Sequence, residues 1–212
     1  MRKINTYYSG YQNPERIDAH MQAMAPHQEH TIVNFDGCSC SAEKFRATHG
    51  RGEGKVIVHE WCINGDTFAA MAALTTLGFL RCTKILFNQS FSHLEVIDFI
   101  REMRPFLSDR SIALFDNASI NVTEDSLQVI DEVFQTRWKR NVEYCPQLAP
   151  VEKGFSLVWG YVRRRYADAC RNPLAILNAA FEYCSVGGAG AYACRNLFNV
   201  YKVNHEEWLN NH

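Results

Sequence analysis

Ser111-Ile-Ala-Leu-Phe-Asp-Asn-Ala-Ser-Ile-Asn-Val-Thr-Glu-Asp-Ser-Leu127 is the stretch that decides the fold. It opens on a short apolar run of the kind that forms a buried strand, and Asp116 closes that run. After a polar link, Thr123 offers its side chain as a helix N-cap. Glu124 and Asp125 fall in the first turn, where the helix dipole favours acids. Leu127, Ile130, Val133 and Phe134 then recur at helical spacing. Strand followed directly by helix is the unit of an α/β fold.

The same grammar extends in both directions. Downstream, Asn141–Tyr144 predicts a short strand and Cys145–Pro150 a rigid connector. Val151–Ala169 predicts a single helix, with Pro150 at its start where a missing N–H costs nothing. Upstream, Ser92 to Leu107 predicts a helix capped by Ser92 or Ser90, striped with Leu94, Ile97, Ile100 and Met103, and ended by Pro105. Before it, Thr67–Leu74 and Phe79–Phe87 predict an antiparallel pair, with Gly78 supplying the positive φ of a hairpin. Thr31–Phe35 predicts a strand ending in Asp36, and Cys38 to Lys55 a loop. Val56–Trp61 reads as a short strand or a loop edge. Residues 1–30 are expected to be a weakly ordered lead-in with a short helix at Pro14–Met24. Residues 31–170 form the expected α/β domain, a mixed β-sheet flanked by helices. Residues 171–212 form a small C-terminal helical extension around Gly187–Gly190.

Composition narrows the class. The chain has 212 residues, 47% of them apolar and 21% charged, with a net charge of −1. That describes a globular protein with one sizeable core and excludes disordered, collagenous and coiled-coil classes. The longest apolar stretch, Phe68–Leu80, is too short and too polar to span a bilayer. The N-terminal residues lack the apolar segment of a signal peptide. An intracellular chain is expected, with its eight cysteines mostly buried thiols and its sequons at Asn88, Asn117 and Asn121 fortuitous. The charge is uneven: residues 1–132 carry −5 and residues 133–212 carry +4. A locally positive face suits an anionic polymer, although a solvated surface gives the same count.

Asp36, Asp116 and Glu152 stand out by position, two at strand ends and one in the first turn of a helix. Carboxylates gathered at such points repel one another unless a divalent cation neutralises them. Hard oxygen ligands select Mg²⁺ or Mn²⁺. Two such ions can activate a nucleophile and stabilise a leaving oxygen on either side of a phosphodiester. An Asp at a strand end also simply starts a turn.

The local words point further. Leu114-Phe-Asp-Asn-Ala-Ser-Ile120 resembles the second-aspartate motif of DDE transposases, in the branch of mariner-type elements and related insertion sequences, which read Leu-Asp-Asn-Ala-x-Ile-His. After 35 intervening residues comes Tyr144-Cys-Pro-Gln-Leu-Ala-Pro-Val-Glu152, similar to the family's Tyr-Ser-Pro-x-Leu-Asn-Pro-Ile-Glu. Trp61 and Gly65 resemble the Gly-Trp-x-x-x-Gly segment before the hairpin, and Ile32–Asp36 the first catalytic strand. Gly37, Asn121 and Ala149 stand where the family pattern has Glu, His and Asn.

The resemblance covers about residues 30–170 and implies a ribonuclease H-like fold. It implies Asp36, Asp116 and Glu152 as catalytic, metal-holding residues for two Mg²⁺ or Mn²⁺ ions, supported by Asn117 and Pro150. The substrate is then DNA, both transposon ends and target. Arg51, Lys55, Lys153, Arg163, Arg164 and Arg165 would neutralise phosphates. A homodimer, no membrane, no other cofactor and, in a eukaryotic host, a nuclear location follow as expectations. Only 35 residues precede Asp36. The expected chain is therefore a catalytic domain alone, or a domesticated or truncated remnant that binds DNA or protein without catalysis.

Other motifs read more weakly. Cys38, Cys40, His59 and Cys62 match no standard zinc-finger spacing. Gly50–Lys55 lacks the Ser or Thr that a phosphate loop needs after its Lys. Trp159 and Tyr166 share the Glu152 side of their helix and read as core residues rather than base-stacking ones.

Overall fold

β1 (Ile32–Ser41) is the strand around which the sheet is arranged. The computed structural model describes residues 13–41, 67–116, 123–143 and 145–201. β1 pairs antiparallel with β2 (Thr67–Thr75), which pairs in turn with β3 (Gly78–Phe79) and β4 (Lys84–Phe87). On its other side β1 runs parallel to β5 (Ile112–Phe115), and β5 runs parallel to β6 (Trp138–Arg140). The result is a six-stranded mixed sheet in the order β3-β2-β1-β5-β6, with β4 also on β2.

Alternation along the strands separates two cores. Val33, Phe35, Met71, Ala73, Ala113 and Phe115 face α2 (His93–Met103) and α3 (Glu124–Phe134), packing on Val96, Phe99, Ile100, Ile130 and Phe134. Ile32, Ala70, Ala72, Leu74 and Leu114 face the other way. They pack on Val151, Phe155 and Val158 of α4 (Pro150–Arg164) and on Leu177 and Phe181 of α6 (Pro173–Cys184). α2 begins with a reciprocal capping box between Ser92 and Glu95, and Thr123 caps α3 as its sequence predicts. Pro105 lies in a 3₁₀ turn just past the end of α2.

Tertiary pairing changes several boundaries. β1 does not stop at Asp36, because β2 pairs with it from Asn34 out to Ser41. A Gly-Cys-Ser run with weak strand preference is thereby held extended. The Phe79–Phe87 strand is broken by a turn at Leu80–Thr83, where the Leu80 carbonyl accepts from both the backbone and the hydroxyl of Thr83. The last strand falls at Trp138–Arg140, not Asn141–Tyr144. The Trp138 ring packs 5.6 Å from Phe115, and its indole N–H donates to Asp131. The single helix expected over Val151–Ala169 ends at Arg164; Arg165 leaves helical geometry at φ −116° and ψ 35°, and α5 (Tyr166–Arg171) leads on to α6.

The ends of the described chain join these cores. α1 (Pro14–Met24), capped by Asn13, matches the predicted helix and buries Ile17 and Met21 against Cys145 and Leu148. Burial pushes the imidazole of His20 down to about 4, so it sits neutral beside Tyr201, whose hydroxyl donates to the Leu148 carbonyl. Cys184 and Phe198 share one core with β2 and α4, and α7 (Tyr192–Arg195) contributes Cys194 to it. Among the described residues no helix is long and apolar enough to cross a membrane.

Gly78 is required at the hairpin. Its φ is +121°, and a Cβ there would lie 2.6 Å from the Cys184 carbonyl oxygen. Gly78→Ala is expected to lower stability by about 2–3 kcal/mol through strained φ and overpacking. Urea unfolding tests this, and an unchanged midpoint would mean that the end of α6 does not press on the turn.

Candidate active site

Asp36 and Asp116 come together through strand register. Phe35 pairs with Phe115 across the parallel β1–β5 ladder, so the next residue on each strand is an aspartate. Phe35 and Phe115 point to the α2–α3 face, so both aspartates lie on the face that carries α4. Glu152 reaches the same place from the first turn of α4. The Pro146–Leu148 3₁₀ turn, with Gln147 and Leu148 buried, leads the chain there. Pro150 is the buried first residue of the helix.

The three carboxylates differ in exposure and act on one another's charge. Asp36 is buried, Asp116 is half-buried and Glu152 is open to solvent. Desolvation first, and then the charges of Asp116 and Glu152, raise the Asp36 carboxyl to about 8, against a lowering by the Gly37 N–H. That N–H donates to Asp36 Oδ1 at 2.6 Å. The Glu152 side chain is exposed as a whole but its carboxyl is partly desolvated in the cluster, which raises it; Asp116 raises it further, while a hydrogen bond with Asp36 lowers it. At neutral pH the Asp36 carboxyl is therefore protonated and donates to the Glu152 carboxylate. Among the described residues, the charges acting on Asp36 and Glu152 are those of other carboxylates. The described ion pairs, such as Arg16–Glu143 and Lys84–Glu102, lie elsewhere.

Such a site suits a hard divalent cation, which would take the place of the shared proton. Among the described residues no group of three His, Cys, Asp or Glu side chains is already disposed around an ion position. The acids meet instead as a hydrogen-bonded pair with a third carboxylate beside it. Asp36, Asp116 and Glu152 would supply the ligands.

The remaining sequence candidates fall into three groups. Lys153 is exposed next to Glu152. Arg163, Arg164 and Arg165 are exposed at the other end of α4, 11–13 residues beyond Glu152. That is about 17–20 Å along the helix axis, so they do not border the acids. Arg165 stacks 4.0 Å over the Tyr161 ring. Arg51, Lys55 and Asn117 lie outside the described residues, as do Trp61, Gly65, His59 and Cys62. Cys38 packs against the α4-side core, as do Trp159 and Tyr166.

Two features escaped the sequence reading. Lys139 and Arg140 sit exposed on β6, with Arg140 in register with Phe115, one residue before Asp116. The positive run from residue 137 onward was their only signal. The other is Asn34, fully buried on the Asp36 face. Its signal was a lone amide in an apolar strand, two residues before the aspartate.

Solved structures share this architecture. The Mos1 Strand Transfer Complex matches with a TM-score of 0.63 at 13% identity, covering 100% of this chain and 65% of that one. The Mos1 mariner paired end complex with Mn gives 0.62 at 13% identity, covering 100% and 66%. The Mos1 transposase catalytic domain with Raltegravir and Mg gives 0.56 at 13%, covering 95% and 96%. The fold is ribonuclease H-like, that of the Mos1 catalytic domain. This ribonuclease H-like chain spans about two thirds of the Mos1 chains in those two complexes and nearly all of the isolated catalytic domain. No family model and no curated protein sequence matches it. At such identity the likeness is one of fold.

Proposed function

We propose that this chain is the catalytic domain of a DDE-type transposase: a divalent-metal-dependent DNA endonuclease and strand-transfer domain acting on phosphodiesters at transposon ends. The observation that carries the reading is the meeting of Asp36, Asp116 and Glu152. They are separated by 79 and 35 residues of sequence and are gathered on one face, and among the described residues neither Asp36 nor Glu152 has a cationic partner. The motif words around Asp116 and Glu152 and the shared fold with Mos1 support it.

Mg²⁺ or Mn²⁺, when bound, would supply Lewis acidity at the phosphate and lower the pKa of the attacking hydroxyl or water. The protein's own part is to hold the ligands in place. β1 and β5 fix the two aspartates on a rigid sheet, so little reorganisation is needed when charge develops. Asp36 would hold the ion in its carboxylate form, its proton passing to solvent. Lys153 beside Glu152 and Lys139, in register with Leu114 on the face of the sheet that carries the acids, would meet backbone phosphates, and Arg163–Arg165 would meet them further along the duplex, a contribution that weakens with salt. In a eukaryotic cell this work belongs to the nucleus.

Incubation with supercoiled plasmid tests the reading. Nicked and linear products are expected in Mn²⁺ and none in excess chelator. DNA binding with no cleavage in either metal would replace the enzyme with a binding module.

A further inference from the structure

We propose that Asn34 is a positioning residue for the acid cluster: a remote helix cap that fixes the N-terminus of α4, and with it Glu152, against Asp36 and Asp116. This deepens the metal-binding reading above and rests on it.

The need for such a cap is visible in α4 itself. A helix start leaves its first N–H groups without intrahelical partners. The N-cap position of α4 is Ala149, which has no side chain to cap with, and Pro150 has no N–H. Glu152 N–H reaches the Ala149 carbonyl at 3.1 Å. Val151 N–H is left, and it is buried. Its acceptor comes from another part of the chain: Asn34 Oδ1 of β1, at 2.8 Å. The other end of the same amide donates from Nδ2 to the Leu114 carbonyl of β5 at 2.9 Å. Asn34 is fully buried and spends its amide on these two partners.

Each contact lies next to an acid. Asn34 is two residues before Asp36 on the same face of β1. Leu114 is two residues before Asp116. Val151 is the residue before Glu152. One planar amide therefore ties together the three elements that carry the acids. An ordinary N-cap would satisfy the helix end without linking it to either strand.

The test separates these roles using Mn²⁺ alone as the probe, measured by calorimetry on the full chain. Asn34→Ala is expected to weaken the Mn²⁺ dissociation constant by about 10- to 100-fold, the usual effect of removing a group that orients metal ligands. The double variant Asn34→Ala/Ala149→Asn restores a side-chain cap from the ordinary N-cap position. It is expected to recover thermal stability in part but not Mn²⁺ affinity. Full recovery of affinity would reduce Asn34 to a cap, and unchanged affinity in folded Asn34→Ala would remove any role at the site. Should Asn34→Ala not fold, amide exchange in the unaltered protein decides: Val151 N–H must be protected, and exchange as fast as at an uncapped helix end overturns the proposal. An unaltered protein that binds Mn²⁺ but never nicks DNA would sink the nuclease reading while leaving the Asn34 result standing. One that binds no Mn²⁺ would sink both.

Discussion

Asp116→Asn and Glu152→Gln are each expected to reduce Mn²⁺-dependent plasmid cleavage by roughly 10³-fold or more, with the fold retained. Each substitution keeps the shape of the side chain and removes one anionic ligand. Loss of a ligand removes charge stabilisation worth several kcal/mol at the phosphate, and every ~1.4 kcal/mol is a factor of ten in rate. The fold should survive because neither group supports the core: Asp116 is half-buried and Glu152 is exposed. Removing either also relieves repulsion on Asp36. Circular dichroism and thermal unfolding establish the fold, and plasmid nicking at fixed salt gives the rate. Full activity in either variant would take that residue out of the chemistry. An equal drop in activity and in melting temperature would indicate a structural role instead.

The second large effect runs opposite to the usual consequence of mutating a buried residue. Asp36→Asn should make the metal-free protein more stable. The Asp36 carboxyl goes from 3.8 to about 8 on folding, chiefly by burial and then by its acidic neighbours. A carboxyl raised on folding opposes folding once the unfolded chain has ionised it. The penalty is absent below about pH 4, grows as pH rises towards 8, and is complete above that. The full shift corresponds to on the order of 5 kcal/mol. In a chain of this size that is on the order of 10 °C or more in melting temperature. An asparagine side chain is a close mimic of the protonated acid. Its N–H can donate to Glu152, and its carbonyl can accept from Gly37. Thermal unfolding in chelator from pH 4 to 9 should show the two proteins alike at the acid end and the Asp36→Asn variant progressively ahead above it. Mn²⁺ should narrow the gap by stabilising the unaltered protein alone. A variant less stable than its parent at pH 8 would mean that the carboxylates are further apart than the electrostatics require.

The reversal is what the proposed metal site would produce. Like charges are held together at a cost to the empty protein, and the ligand recovers that cost when it binds. A stable, fully paired cluster would bind a cation weakly.

Much of this arrangement is legible in the sequence. Ser92, Thr123 and Pro150 mark helix starts through local hydrogen-bonding chemistry, and each does so in the structure. Ile112–Phe115 announces a buried strand by composition, and Gly78 announces a turn by its conformational freedom. Asp116 and Glu152 are flagged by the short motifs around them. Asp36 is flagged more weakly, since its neighbours Phe35 and Gly37 carry little signal of their own. The order of the elements and the three acids could thus be read from the chain alone, because caps, periodicity and turns act over a few residues. Long-range packing set the rest. It carries β1 past Asp36, ends the last strand at Arg140, and leaves the arginines of α4 a helix-length from the acids. It also makes Asn34 the cap of a helix more than a hundred residues away. Those outcomes depend on strand register and on partners distant in the chain, and no local pattern encodes a partner it does not contain.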